Sequence, residues 1–130
     1  MSLLFDTNIL IAIRDNDPAA LSRYEHMTTT VAMSIVSRIE LENGVARDPF
    51  RSIQRRDSLV LLLEDLTILG FDAQEADVYR SIVAATGYNR ARTLDRMIAA
   101  TALRYDLPIV TANVRDFRDI PGLQIEDWSQ

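Results

Sequence analysis

Short apolar runs alternate with longer amphipathic segments along the whole chain. The apolar runs at residues 3–5, 31–34, 67–69, 108–111 and 123–125 have the length and composition of buried strands. Between them the apolar spacing and the capping signals predict helices over residues 9–14, 18–25, 35–46, 51–64, 72–86 and 94–104, with a turn or short helix at 113–117. Strands separated by such helices pair in parallel through right-handed crossovers, so we expect one α/β domain over residues 1–130.

Four carboxylates lie at or near the predicted end of a strand or start of a helix. They belong to Asp6, Glu40, Asp95 and Asp116. The carboxyl ends of strands in an open α/β sheet are where ligands bind. Acids gathered at that edge repel one another unless a cation lies between them, so the pattern indicates a magnesium or manganese site.

Each of these acids also has a purely local explanation. Asp6 follows a strand and can cap the next helix. Glu40 forms a capping box with Ser37, unless the helix begins at Ser34, which places Glu40 in the second turn on an interior face. The two later acids fit the start of a helix, where the macrodipole favours a carboxylate. Local capping explains each acid singly, but it explains less well why all four occur together.

The composition limits the class of protein. The 130 residues are 48% hydrophobic and 25% charged, which is typical of an ordinary globular domain. No apolar run approaches the roughly 20 residues of a membrane span, and the first residues lack a signal-peptide pattern, so we expect a cytoplasmic protein with no membrane partner. The absence of cysteine excludes disulfides, zinc–thiolate sites and thiol catalysis.

The net charge of −5 argues at first against a nucleic-acid partner. If the four acids bind metal, 14 basic residues face 15 acidic ones, a net charge of −1, and local basic patches can dominate. Every basic residue is arginine, which suits phosphate contacts. Three arginines next to Asp95 are candidates for binding the phosphates of a substrate: Arg90, Arg92 and Arg96. A second candidate, which we interpret more simply as a solvated helix face, consists of Arg51, Arg55 and Arg56.

Five stretches of the chain give it a family resemblance. They are residues 4–8 (LFDTN), 37–44 (SRIELENG), 94–100 (LDRMIAA), 110–117 (VTANVRDF) and 121–128 (PGLQIEDW). The chain resembles the PIN-domain ribonucleases and, within them, the VapC toxins of bacterial toxin–antitoxin modules. The resemblance covers essentially the whole chain and implies a single PIN domain, a three-layer sandwich whose mostly parallel central sheet is flanked by helices.

The resemblance also implies an activity and a set of site residues. It implies a magnesium-dependent endoribonuclease, with manganese as a possible substitute, that leaves a 5′-phosphate and a 3′-hydroxyl. Asp6 and Asp95 would be the main metal ligands, and Glu40 would complete the acidic cluster. The fourth position falls to Asn113 or Asp116. Hydrogen bonds to the carboxylates or to a water ligand would come from nearby polar residues, namely Thr7, Asn8, Thr111 and Asn113.

The partners implied by the resemblance are an RNA, with transfer RNA favoured, and a VapB-type antitoxin. The antitoxin would lay its C-terminal segment across the acidic groove, and the toxin would form a homodimer. Relatives often have a loop containing Gly or Pro before Asp95, where this chain has residues 88–93 (YNRART). The RNA target, the cleavage position, the number of metal ions, the identity of the antitoxin and operator binding by the complex therefore stay open.

Two other functions are compatible with part of the pattern. Haloacid-dehalogenase phosphatases and receiver domains also place an aspartate after a first strand, but both rely on a lysine, and this chain has none. The phosphatases usually carry a second aspartate where this chain has Asn8. The remaining alternative is a catalytically silent PIN-fold binding module, which metal-dependent cleavage would distinguish from the enzyme.

Overall fold

Five short strands form one parallel sheet in the computed structural model, which describes residues 2–129. The strands are β1 (Ser2–Phe5), β2 (Thr30–Ser34), β3 (Thr67–Leu69), β4 (Ile109–Thr111) and β5 (Ile125–Asp127). Their order across the sheet is β3-β2-β1-β4-β5. The predicted α/β class with a parallel central sheet is therefore confirmed.

Six helices and two short 3₁₀ turns connect the strands. The helices are α1 (Thr7–Arg14), α2 (Pro18–Glu25), α3 (Ile35–Arg47), α4 (Ser52–Asp65), α5 (Ala73–Thr86) and α6 (Thr93–Arg104). The first 3₁₀ turn, Arg90–Arg92, leads directly into α6, and the second, Val114–Asp116, follows β4. None of the described helices is long and apolar enough to cross a membrane.

Alternate residues of the central strands pack into two separate cores. In β1, Leu3 and Phe5 join the core formed with α1, α2 and α4, whereas Leu4 joins the core formed with α5 and α6. The same division separates Val110 from Ile109 in β4. Successive side chains of a strand point to opposite faces, so the sheet is the middle layer of a three-layer sandwich.

The strand order places a switch point between β1 and β4. From β1 the chain proceeds outward through β2 and β3, and it then returns to add β4 and β5 on the other side of β1. Crevices form outside the carboxyl ends of the strands at such a point. Asp6 follows β1 and Ala112 follows β4, so the candidate acids after both strands lie beside this crevice.

Helix α6 begins near the same edge of the sheet. Helices α5 and α6 form an antiparallel hairpin, in which Arg104 at the end of α6 donates to the side chain of Gln74 at the start of α5. Because α6 must then deliver the chain to the amino end of β4, its own first turn lies at the carboxyl edge. This direction brings Asp95 from a distant part of the sequence towards Asp6.

Two largely inaccessible arginines, Arg14 and Arg55, hold α1, α3 and α4 together. Arg14 is only 2% exposed and donates to the carbonyl of Leu41 in α3 at 3.3 Å and to the carboxylate of Asp15 at 3.0 Å. Arg55 of α4 also binds Asp15, with Nε 3.2 Å from Oδ1, and donates to the carbonyl of Gly44 at 2.8 Å. The guanidinium groups therefore satisfy backbone carbonyls and a carboxylate that would otherwise be desolvated without partners.

The structure corrects two local predictions. The side chain of Arg55, expected on a solvated face, is only 11% exposed and is bound to Asp15. The last strand begins at Ile125, because the turn at Gly122, with φ of 78°, extends through Leu123 before Gln124 accepts a bond from Ile109.

We expect Gly44→Ala to destabilise the protein. Alanine normally stabilises a helix interior by about 1 kcal/mol relative to glycine. Here the added Cβ would lie 2.5 Å from Nη1 of Arg14, whose guanidinium is buried and bound on several sides. Displacing it should lower the free energy of unfolding by about 1–3 kcal/mol, as measured by urea denaturation. Gly70→Ala is the control, because nothing lies within 4 Å of its Cβ; a stabilised Gly44→Ala protein would contradict the prediction.

Candidate functional site

Asp6 is a buried carboxylate held by the two central strands. Its backbone N–H donates to the carbonyl of Val110 at 2.9 Å, and the residue is 2% exposed. It occupies the N-cap position of α1, but its side chain makes no capping hydrogen bond. Its Oδ2 instead accepts a hydrogen bond from Oγ1 of Thr111 at 2.9 Å. Capping therefore does not explain this carboxylate.

Thr7 connects Asp6 to Glu40. Its hydroxyl donates to Oε1 of Glu40 at 2.7 Å. A hydroxyl has a single proton, so the Oγ of Ser37, 2.8 Å away, donates to Thr7. Helix α3 is capped by Ser34, whose side chain accepts from the N–H of Val36 at 3.1 Å, so Glu40 lies in its second turn.

Ser37 was not among the expected site residues. Its sequence position suggested a capping box with Glu40, but the side chain is fully buried beside Thr7. The signal was its spacing: residues three apart on a helix lie on the same face. Once the helix is known to begin after Ser34, that spacing places Ser37 and Glu40 on the face towards α1.

Asn113 and Asp116 both lie at the group formed by Asp6, Glu40, Asp95 and Asp116, which we call the acidic centre. The backbone N–H of Asn113 donates to Oγ1 of Thr111 at 2.9 Å, and its side-chain amide donates to Oδ2 of Asp116 at 2.6 Å. Of these two residues only Asp116 carries a carboxylate, and Asn113 donates a hydrogen bond to it. Asn8, in contrast, is exposed and lines a neighbouring cavity of about 210 Å³ with Ile9 and other residues.

The four acids form one electrostatic group. Burial raises the pKa of Asp6 to about 6, against the hydrogen bond from Thr111 and with repulsion from Glu40 and Asp116. Burial also raises the pKa of Asp95 to about 6, and repulsion from Asp6, Asp116 and Glu40 adds to it. The positive charge of Arg92 opposes this rise. Both carboxylates would be more stable with a cation between them.

The donor chemistry of this group fits a hard divalent cation. All the candidate donors are oxygens, which magnesium and manganese prefer. In residues 2–129, however, no three acidic or histidine side chains converge as a complete set of ligands for one ion. Glu40 accepts a hydrogen bond from Thr7, and Asp116 accepts one from Asn113. Asp6 and Asp95 are the two acids whose burial and repulsion a metal ion would relieve most.

Of the three arginines expected near RNA, one has a different role. Arg96 is 4% exposed, and its two terminal nitrogens bind the carboxylate of Asp119 at 2.9 and 3.0 Å. It is therefore a buried ion-pair partner and is unavailable to a phosphate. Arg90 is exposed in the first 3₁₀ turn, and Arg92 ends that turn with Nη1 4.0 Å from Oδ1 of Asp116.

Comparison with known proteins identifies the family. The PIN domain profile matches residues 3–123. The tRNA(fMet)-specific endonuclease VapC of Salmonella typhimurium is 31% identical over 134 aligned positions, covering 98% of each chain. Ribonuclease VapC of Rickettsia bellii is also 31% identical, covering 96% of this chain and 95% of the relative. This chain belongs to the PIN-domain family, among its VapC ribonucleases.

A solved structure with the same fold gives further support. VapBC2 from Rickettsia felis, bound to a DNA fragment from its promoter, matches with a TM-score of 0.83 at 26% sequence identity. The match covers 98% of this chain and 99% of that one. The expected PIN-like fold and VapC resemblance are confirmed.

The raised pKa of Asp6 predicts a characteristic pH dependence of stability. In metal-free protein the folded state holds the Asp6 proton more tightly than the unfolded state, whose pKa is near 3.8. The stabilisation of the folded state by protonated Asp6 is therefore complete below about pH 4 and is lost as the pH rises through about 6. Asp6→Asn removes the charge, so its free energy of unfolding relative to wild type should increase by roughly 1–3 kcal/mol between about pH 4.5 and 7.5.

Urea denaturation of both proteins in chelator measures this difference and cancels the titrating groups outside the acidic centre. Within the centre, loss of the Asp6 charge also relieves the repulsion that raises the pKa of Asp95, which changes the difference in the same direction. The control is Asp57→Asn, which alters an exposed acid of α4 and should show no such trend. A wild-type advantage that grows with pH would mean that Asp6 is stabilised in its charged form.

Proposed function

We propose that this VapC-type ribonuclease toxin cleaves RNA with a magnesium ion held by Asp6 and Asp95, with manganese as a substitute. The observation that carries the proposal is the pair of desolvated carboxylates, both with pKa values raised to about 6 by burial and mutual repulsion. They lie where the strand order reverses, which is the expected ligand position in an open α/β sheet. Glu40 and Asp116 complete the acidic centre.

Each residue of the site has a separate role in phosphodiester hydrolysis. A bound divalent ion supplies positive charge for the phosphate and lowers the pKa of water. Thr111 holds Asp6 through its hydroxyl, and Asn113 in turn donates to Thr111 and holds Asp116. Thr7 fixes one oxygen of Glu40 and leaves the other to orient a water or the ion. These hydrogen bonds keep the carboxylates in place as substrate enters.

The substrate we infer is a structured RNA, with transfer RNA as the first choice. The support is the Salmonella relative, which is named as tRNA(fMet)-specific and aligns over 98% of this chain. Hydrolysis should leave a 5′-phosphate and a 3′-hydroxyl.

The protein is the toxin of a pair, and a VapB-type antitoxin neutralises it. The Rickettsia felis structure with the same fold is a VapBC assembly. We infer that the toxin acts in the bacterial cytoplasm as a homodimer. A basic antitoxin side chain placed among the four acids would supply the charge that the metal otherwise provides, and this accounts for inhibition in physical terms.

Purified toxin free of antitoxin should cut total cellular RNA into discrete fragments only when magnesium or manganese is present. Asp95→Asn should lower the rate more than about 100-fold, because the ion supplies several kcal/mol of transition-state stabilisation. The exposed acid Asp77 of α5 provides the matched control, Asp77→Asn, which should cleave normally. Absence of cleavage by folded, metal-loaded wild-type protein would favour the silent binding module.

Thr7 offers a test of how Glu40 is positioned. Thr7→Val keeps the shape of the side chain but removes the hydroxyl that binds Glu40 and Ser37, whereas Thr7→Ser retains it. Thr7→Val should lower kcat about 10–100-fold and raise the magnesium concentration needed for half-maximal activity. Thr7→Ser should stay close to wild type. Equal losses of activity in the two variants would show that the hydroxyl contacts of Thr7 are not required for activity.

A further inference from the structure

The arginines of this protein fall into two groups. Seven of the fourteen have a carboxylate within 4.0 Å among residues 2–129, namely Arg14, Arg38, Arg51, Arg55, Arg56, Arg92 and Arg96. Six of them bind acids that lie outside the acidic centre. Arg92 alone among the seven contacts a carboxylate of that centre, Asp116, at 4.0 Å.

Arg92 also joins two 3₁₀ turns that border the acidic centre. The first turn, Arg90–Arg92, leads into the helix that carries Asp95, and the second, Val114–Asp116, ends in Asp116. Nη1 of Arg92 donates to the backbone carbonyl of Arg115 at 3.4 Å. The two turns therefore lie side by side along one edge of the acids.

These two turns carry three arginines, Arg90, Arg92 and Arg115, which we call the arginine rim. Arg90 and Arg115 are exposed, and within the described chain neither has a carboxylate within 4.0 Å. The side chain of Arg92 is 30% exposed. The rim thus carries positive charge that the protein itself leaves largely unneutralised.

An RNA substrate needs such a surface. Its phosphates must approach a centre of four acids in a protein of net charge −5. Metal binding offsets part of that charge, but only at the reacting phosphate. The neighbouring phosphates require their own cationic partners, and planar guanidinium groups bind phosphate oxygens with two parallel hydrogen bonds.

We propose that the arginine rim binds the RNA backbone on one side of the scissile phosphodiester. Arg92, which contacts Asp116, takes the phosphate nearest the acids, and Arg90 and Arg115 take the phosphates that follow. The inference rests on the proposed ribonuclease function, since that function puts the scissile phosphate at the acids. The same continuity with the acidic centre favours RNA over an acidic protein as the ligand.

Binding can be measured separately from cleavage. The probe is a short fluorescent single-stranded RNA, titrated with the full chain in chelator while anisotropy is recorded over roughly 50–200 mM KCl. The variant is Arg90→Gln with Arg115→Gln, which changes exposed side chains only. The control is Arg47→Gln, at the exposed end of α3, about 10 Å along the helix from Glu40 and without a carboxylate within 4.0 Å in the described residues.

The double variant should bind RNA about fivefold to tenfold more weakly, and the slope of log K against log salt should flatten by about 1.4, or about 0.7 for each lost phosphate contact. Arg47→Gln should retain wild-type affinity and slope. A double variant that binds like Arg47→Gln, or a wild type that binds no RNA, would overturn the proposal. So would a loss of antitoxin affinity with unchanged RNA binding, because the rim would then belong to a protein partner.

A parallel cleavage assay in magnesium separates the two proposals. Rim-dependent binding by a wild-type protein that cleaves nothing would refute the proposed cleavage and leave the rim as an RNA-binding surface. Normal cleavage with the same KM and salt dependence in the double variant would refute RNA binding by the arginine rim but not the proposed cleavage.

Discussion

The sheet places the carboxylate of Asp6 where water hardly reaches it, and this desolvation governs the chemistry of the acids around it. One hydroxyl, that of Thr111, binds the carboxylate in place of water, and it compensates only part of the lost hydration. Three more acids raise the electrostatic cost, as the pKa of about 6 at Asp95 also shows. A folded protein maintains such a group only if the rest of the structure supplies the stability, which here comes from two apolar cores on either side of the sheet.

The position of Glu40 depends on contacts at both ends of the α1–α3 interface. Near the acids, Thr7 is bound to Ser37 and Glu40. At the other end of α1, Arg14 fills the space above Gly44, where a methyl group would collide with it. Two points of attachment fix both the separation and the rotation of α3 relative to α1. An ion-pair cluster at the far end of α1 therefore helps to position the carboxylate of Glu40, even though such clusters contribute little net stability.

Local sequence patterns predicted the architecture because strand length, helix length and the alternation between them are local properties. They also located Asp6, since the end of an apolar strand is visible in the sequence. They could not decide whether α3 begins after Ser34 or at Ser37, because both serines have capping potential. Nor could they separate solvated from buried arginines: Arg55 binds Asp15, 40 positions away, and Arg96 binds Asp119, 23 positions away. Such pairs exist only once the chain has folded.

The pairing of Arg96 has a consequence for the acidic centre. Arg96 follows Asp95 directly in the sequence, and a guanidinium that neutralised Asp95 or Asp6 would compete with a metal ion for the same carboxylates. Both terminal nitrogens of Arg96 donate to the carboxylate of Asp119. The hydrogen bonds of Arg96 are thereby made to Asp119 and not to the acidic centre, although the charge of Asp95 still acts on Arg96. Arg92 lies at the edge of the centre, 4.0 Å from Asp116. An acidic centre left short of positive charge by its own chain is suited to bind cations from outside, whether a metal ion or the basic side chain of an antitoxin.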